Sequence, residues 1–282
     1  MDLYGNQPKL GVIYTCFPGG RHKALTMSYD DGREEDRRLV RLFNRYGIKG
    51  TFNINAGLKQ EGRRIPLEEM RELYKGHEVA CHTFQHPTIA RCPIDQTAWQ
   101  ILWDRRLLEE HLGYPVRGLA YPNGSYDEEI CRLLPSLGIR YGRTVGSTDK
   151  FEIPSDFTRW TATCHHNHRL LELGEEFAAL YKRQYLYLMY VWGHSYEFTD
   201  RNNWELMETF CERMGGREDI WYATNIQIAD YLEAARRVFF DVDGTMAVNP
   251  NACSIWFDID GRITEVKGLC CQIGRASCRE RV

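Results

Sequence analysis

The chain has no run of eighteen apolar residues, so no helical membrane span is expected. Its opening "MDLYGNQPKLGVIYTCF" lacks a basic stretch followed by a long apolar core, so no secretory leader is read there. There is no excess of positive charge: 36 Lys and Arg against 39 Asp and Glu give a net charge of −3, which disfavours a nucleic-acid partner. Ten cysteines occur without a single CxxC pair. In a 282-residue chain without a visible leader this pattern reads as reduced thiols in a cytoplasmic protein, not a disulfide framework. No glycine-rich phosphate loop follows any strand-like segment, which argues against a nucleotide-binding sheet.

What is present is a regular alternation. Strand-like "ALTMSY", "GTFNIN", "HEVACHT", "VRGLAYP", "IRYGRTV", "YLYLMYVWGH" and "DIWYATN" are separated by helix-like segments. One of these, "REEDRRLVRLFNRYG", spaces Leu39, Leu42, Phe43 and Tyr46 along one face and stops at Gly47. Seven βα units predict an α/β fold with a parallel sheet closed, or nearly closed, into a barrel; an open doubly wound sheet is the alternative. Expected boundaries are an N-terminal segment at 1–23, a barrel at 24–236, a small truncated C-terminal β appendage at 237–272, and a tail at 273–282. The tail, "IGRASCRERV", reads as a translated sequencing adapter and is set aside from fold reasoning. Within the appendage "FDVDGT" copies the nucleophile motif of haloacid-dehalogenase-type phosphatases. The repeat "FDIDG" and the short remaining chain favour hairpin turns instead.

Polar residues gather where strands end. "SYDDG" ends the first strand with Asp30 and Asp31; "HTFQHP" ends the third with His82 and His86; "YPNGSY" follows the fourth; "WGHSYEF" ends the sixth with His194. In a parallel barrel these C-terminal strand ends face one mouth. Two adjacent carboxylates repel, so something positive must hold them. His82 and His86, four apart, share one face if their segment turns helically. With one carboxylate the two histidines make an open catalytic zinc set. Neighbours on an extended strand point opposite ways, so one aspartate can bind the metal while the other reaches water. "CHHNH" at 164–168 reads as a polar loop at the mouth, since its histidines are crowded for a structural zinc set.

In order and spacing, "SYDDG", "HTFQHP", "AYPNG" and "WGHS" resemble the signature blocks of the polysaccharide deacetylase family, the NodB-homology or carbohydrate esterase family 4 group, over roughly residues 24–235. The resemblance implies a distorted (β/α)7 barrel and a hydrolase that removes acetyl groups, N-acetyl first, from a carbohydrate. It implies Asp30 as catalytic base, Asp31, His82 and His86 as metal ligands, and His194 as general acid, with Trp192 at an apolar pocket. Zn²⁺ is the implied ion, with Co²⁺ or Ni²⁺ able to take the same donors. The third block departs from the family: Ala120-Tyr121-Pro122-Asn123 stands where Arg-x-Pro-Tyr is usual, so the arginine that tethers the base is absent. Tyr121, Pro122 and Asn123 are assigned to substrate and oxyanion, the last through its backbone N–H. Arg143, at the end of the fifth strand, is read either as a surface ion-pair partner or as a replacement for the missing arginine. The fourth block is matched only by Asp156 and Trp160, with Trp160 expected to touch substrate. The expected partner is an acetylated carbohydrate or small acetylated amide. Alternatives on the same scaffold are a hydrolase of a small cytosolic amide or lipid-linked sugar, and a non-catalytic carbohydrate-binding relative.

Overall fold

A computed structural model describes residues 11–58 and 63–273. Strand β1 (Ile13–Cys16) belongs to a small unit treated below. The main unit, residues 24–181 and 187–229, holds the strands β2 (Lys23–Asp30), β3 (Gly50–Ile54), β4 (Glu78–Cys81), β5 (Gly118–Ala120), β6 (Tyr141–Ser147), β7 (Trp160–Ala162), β8 (Cys164–His165), β9 (Tyr187–His194) and β10 (Ile220–Tyr222). They form one sheet in the order β7-β6-β5-β4-β3-β2-β9-β8, with β10 paired to β2. The two ends of this path are the same piece of chain. Only Thr163 separates β7 from β8, and its N–H donates to Tyr190 O at 2.8 Å. Residues 160–165 thus pair with β6 on one side and β9 on the other, and the sheet returns on itself as a distorted seven-membered ring.

The ring's members differ from the sequence expectation in one place. Residues 160–165 read as irregular because a bend at Thr163 breaks their alternation, yet they are a ring strand. "DIWYATN", expected as the seventh strand, supplies only the three-residue β10, whose neighbour Ala223 donates to Leu25 O at 3.1 Å.

Period-two alternation sorts the side chains. One set, including Leu25, Met27, Tyr29, Phe52, Ile54, Val79, Cys81, Leu119, Met189 and Val191, packs outward into the hydrophobic core beneath the helices. Each such buried apolar side chain contributes about 1.5–3 kcal/mol. Helix α1 (Asp36–Tyr46) answers with Leu39, Val40 and Phe43 and ends at Gly47, whose φ of 69° permits the left-handed cap. Helices α2 (Leu67–Leu73), α3 (Ile94–Leu112), α4 (Glu128–Leu133), α5 (Leu170–Ala179), α6 (Tyr196–Asp200), α7 (Trp204–Met214) and α8 (Asn225–Arg236) follow, with the expected "YDEEICRLLPSLG" helix shortened by Pro135 into a 3-10 turn.

The alternate set faces inward and is polar. Thr26 donates to Asn225, Asn225 to Tyr190, Thr51 to Glu78, Tyr141 to Glu78, and Asn53 to Ser28 and Asp30. This barrel interior is therefore a hydrogen-bonded column of buried polar groups, with burial pushing Glu78 up to about 7.

Among the described residues the small unit comprises 11–23, 182–186 and 230–273. Strand β1 pairs antiparallel with β13 (Ile255–Ile259), which pairs with β14 (Arg262–Val266). Strands β11 (Phe239–Phe240), β12 (Met246–Asn249) and β15 (Cys270–Ile273) form a second antiparallel sheet. The described part of the N-terminal segment, from residue 11, thus joins the appendage, because β1 forms an edge of the sheet beside β13. The "FDVDGT" aspartate caps its own turn: Asp241 accepts from Met246 N at 2.7 Å and Thr245 Oγ1 at 2.8 Å, as the hairpin reading requires. The expected tail boundary at 273 falls within β15; residues 1–10 and 274–282 lie outside the described residues.

Gly142 on β6 lies against the Tyr121 ring, and an added Cβ would stand 2.5 Å from the phenol oxygen. Gly142→Ala is expected to destabilise the barrel by about 1–3 kcal/mol, read as a lower urea midpoint with unchanged slope.

Candidate active site

The site is the top layer of the polar column. Strand register sets Asp30 beside Asn53, and Ala120 beside Arg143, which in turn lies beside Trp160. Asp30 is 2 % exposed and Arg143 is fully buried. Arg143 Nη2 donates to both carboxylate oxygens of Asp30, and Asn53 Nδ2 adds a third bond at 2.8 Å. Burial alone would raise the Asp30 pKa, but the Arg143 charge, aided by His82 and His194, outweighs it and holds the carboxyl well below its usual range. Trp192 covers the other side of Arg143, with Cζ 4.7 Å from the ring centroid, in a cation–π contact. The surface-ion-pair reading of Arg143 is therefore overturned. The arginine absent from the third block is replaced from β6, the adjacent strand, because β5–β6 register brings an inward residue to the same layer.

Asp31 does not continue the strand. Its φ of 79° turns the chain, and Gly32 follows at 59°. The two carboxylates part because of this turn, not because of strand alternation. Asp31, His82 and His86 each place one donor atom within 4.8 Å of the other two. The His82–His86 segment is not helical: Thr83 and His86 have φ of 64° and 57°. Instead the loop is pinned from outside. Asn55 Nδ2 holds the carbonyls of His82 and Thr83, Asp104 on α3 accepts from the His82 N–H at 2.9 Å, and Gln100 accepts from Gln85 N at 2.8 Å. His82 Nδ1 lies 2.8 Å from Ala120 O, an acceptor, so that nitrogen carries the proton and Nε2 keeps a free lone pair. Burial lowers the His82 pKa, which favours the neutral imidazole a metal requires. The donor set thus fits a divalent cation.

His194 closes the constellation from the end of β9. Its Nε2 stands 3.9 Å from Asp30 Oδ2, and His82 Nε2 stands 3.8 Å from the same oxygen. Its Nδ1 is 2.8 Å from Glu197 Oε1 on α6. Burial would depress the His194 pKa, but the Glu197 hydrogen bond and the charges of Asp30 and Asp31 raise it above the ordinary value. Glu197 also faces His165 and His166, at 3.5 and 3.2 Å, and accepts from Asn167 Nδ2 at 2.5 Å. Burial works against the Glu197 charge, yet His165, His166 and His194 around it hold its carboxyl far below the usual range.

A family profile described as "Polysaccharide deacetylase" matches residues 18–142, the segment carrying Asp30, Asp31, His82 and His86. Over that segment the chain is similar to the polysaccharide deacetylase family. It is 25% identical over 112 residues to a peptidoglycan-N-acetylglucosamine deacetylase of Bacillus cereus, covering 39% of this chain and 40% of the relative. It is 24% identical over 114 residues to chitin deacetylase 1 of Cryptococcus neoformans var. grubii, covering 40% and 24%. The chain thus spans well under half the length of these curated relatives. A solved Mycobacterium smegmatis structure assigned as a polysaccharide deacetylase aligns with a TM-score of 0.59 at 18% identity, over 82% of this chain and 96% of that one; this likeness concerns the fold.

Two expected substrate residues, Trp160 and Tyr121, lie away from this site. Trp160 is 1 % exposed and sits inside the barrel, edge-on to Tyr141 and Tyr190 at 5.5 and 5.0 Å. Tyr121 is fully buried and donates its phenol to Thr158 O at 2.7 Å. Both are core groups, because their strand positions face packed layers, not the mouth. Pro122 is also buried. Asn123 is exposed with a φ of 56°, and the turn's own bonds run from Gly124 N and Ser125 N, leaving the Asn123 N–H out of them. Asp156 caps a 3-10 turn through Thr158 N. Sequence reasoning missed Asn53 and Glu197. The second had a signal: it follows His194 by three, the spacing of facing residues on a helical turn.

Arg143→Met leaves the Asp30 charge buried without its partner and is expected to cost about 3–5 kcal/mol near neutral pH. Because Asp30 has a depressed pKa in the fold, its contribution is present above the unfolded carboxylate value and is lost as pH falls through the folded value. Urea titrations of both proteins should therefore show a gap that is widest near neutrality and narrows below about pH 4. A gap independent of pH would contradict the pairing.

Proposed function

We propose that the chain is a metal-dependent hydrolase that removes N-acetyl groups from an acetylated amino-sugar polymer. The observation that carries this reading is the opposition of Asp30 and His194, 3.9 Å apart, beside the Asp31, His82 and His86 donor set. The named relatives, a chitin deacetylase and a peptidoglycan-N-acetylglucosamine deacetylase, support the N-acetyl choice.

Asp31 Oδ, His82 Nε2 and a ring nitrogen of His86 would hold the ion, with Zn²⁺ favoured by the donor set. When bound, the cation polarises the acetyl carbonyl and brings the pKa of water down to about 7. Asp30 is the base: its carboxylate, ionised and fixed by Arg143 and Asn53, accepts the proton of the attacking water. Arg143 limits its basicity but keeps it charged in a dry site and fixes its direction. The Asn123 N–H serves the developing oxyanion, and one such donor is worth about 3–4 kcal/mol. His194 gives a proton from Nε2 to the departing amine nitrogen while Glu197 holds Nδ1–H. Trp192 forms the apolar wall beside Arg143.

Acetate release from N-acetylglucosamine oligosaccharides, measured on protein loaded with Zn²⁺ or Co²⁺, is the direct test. Asp30→Asn is expected to keep the metal and lose about 10²–10⁴-fold in turnover; His82→Ala should also lose the ion held with Asp31 and His86. Metal-loaded wild type that releases no acetate, or Asp30→Asn that still does, would end the proposal. The role of Glu197 has its own readout. A general acid must be protonated, so activity falls as pH rises through the His194 pKa. Removing the Glu197 charge takes away the hydrogen bond that raises that pKa. In Glu197→Gln the alkaline limb of the kcat profile should move to lower pH; an unmoved limb would assign Glu197 to packing alone.

A further inference from the structure

We infer that His165, His166 and Glu197 form a second divalent-cation site, with ligands separate from Asp31, His82 and His86, and that filling it slows the enzyme. One donor atom of each residue lies within 4.8 Å of the other two. His165 Nε2 is 3.5 Å from Glu197 Oε1, and His166 Nε2 is 3.2 Å from Glu197 Oε2. A tetrahedral zinc with bonds of about 2.0–2.1 Å sets its ligands about 3.4 Å apart; each separation is close to one such edge, the two running to different oxygens of Glu197.

A second observation concerns His166. It is fully buried; its Nδ1 has no hydrogen-bond partner, and its Nε2 faces the Glu197 carboxylate at 3.2 Å but off hydrogen-bond geometry. A buried imidazole in that state calls for an explanation. Its ring is stacked against Tyr29 and Phe198, with centroids at 5.7 and 4.2 Å. Its Nδ1 side abuts Gly193, where a Cβ would come within 2.0 Å. Only Nε2 is left facing the carboxylate, as a fixed donor for a cation. His165, edge-on to Trp192 at 4.7 Å and 22 % exposed at its side chain, leaves a route from solvent. Its Nδ1 accepts from Asn167 N at 3.2 Å. Coordination through Nε2 moves the ring proton to Nδ1 and gives up that bond, which makes this the weaker of the two sites.

The consequence for turnover follows from a shared carboxylate. Glu197 Oε1 is the partner of His194 Nδ1. A cation on Glu197 draws the same negative charge that holds His194, so the general acid loses its support as the second site fills. The binding stands apart from the proposed function, whereas the slowing rests on that reading, with His194 as general acid.

Metal-free protein titrated with Co²⁺, followed by equilibrium dialysis and visible absorption, tests it without any substrate. Wild type should take two equivalents, the second at least tenfold weaker. His165→Gln should take one, as should His166→Phe, which keeps the ring stack and guards against a folding defect. His82→Ala should retain the weaker equivalent. Where acetate release is measurable, excess Co²⁺ should inhibit wild type severalfold, and this inhibition should vanish in His166→Phe. One equivalent in wild type, two in both His165→Gln and His166→Phe, or none in His82→Ala overturns the site.

Discussion

The buried pair of Asp30 and Arg143 is the interaction on which the site depends. A lone carboxylate at 2 % exposure would take up a proton and lose the charge that the proposed role as base requires. A lone guanidinium at the same depth would be equally costly. Together, with Asn53 and the Trp192 face, they keep two charges in a place where water is scarce. Ion pairs of this kind do little for net stability, since desolvation offsets attraction. What they supply is a charged oxygen at a defined position, and that is what a general base needs.

The pair is possible because of how the barrel sorts its residues. Apolar side chains go outward to the helices, and a polar column fills the interior from Glu78 up to Asp30. Such a column is stable only when its members satisfy each other, and here the chain of bonds through Thr26, Asn225, Tyr190, Thr51, Glu78 and Tyr141 does so. The active layer is the upper end of a structural network, left partly open where the strands end.

At that end the backbone is bent into conformations that non-glycine residues seldom adopt. Asp31, Thr83, His86 and Asn123 all have positive φ. Such residues persist only where surrounding bonds over-determine them, and they gather at functional sites. Asn55, Asp104 and Gln100 hold the histidine loop; Arg64 donates to the Asp31 carbonyl. The imidazole and carboxylate donors are therefore directed by a shell of side chains drawn from the end of β3, α3 and the loop before α2, not by regular secondary structure.

Local pattern in the chain was enough to place the strands ending in "SYDD" and "HEVACHT", the Gly47 helix stop and the functional residues at strand ends, because alternation, caps and turns are encoded within a few residues. It also carried the family resemblance, which named Asp30, Asp31, His82, His86 and His194. What needed the tertiary structure was every pairing between distant segments. Arg143 is 113 residues from Asp30, and only sheet register brings them together. The ring strand at 160–165 is defined by its neighbours β6 and β9, not by its own composition. Trp160 and Tyr121 resembled mouth residues until strand direction turned them inward and outward. Glu197 became the partner of three histidines only through the turn after β9. Sequence determined the chemical types present and the strand ends that bear them; which charge meets which was decided by closure of the sheet, since contact between distant residues is a property of register and not of local preference.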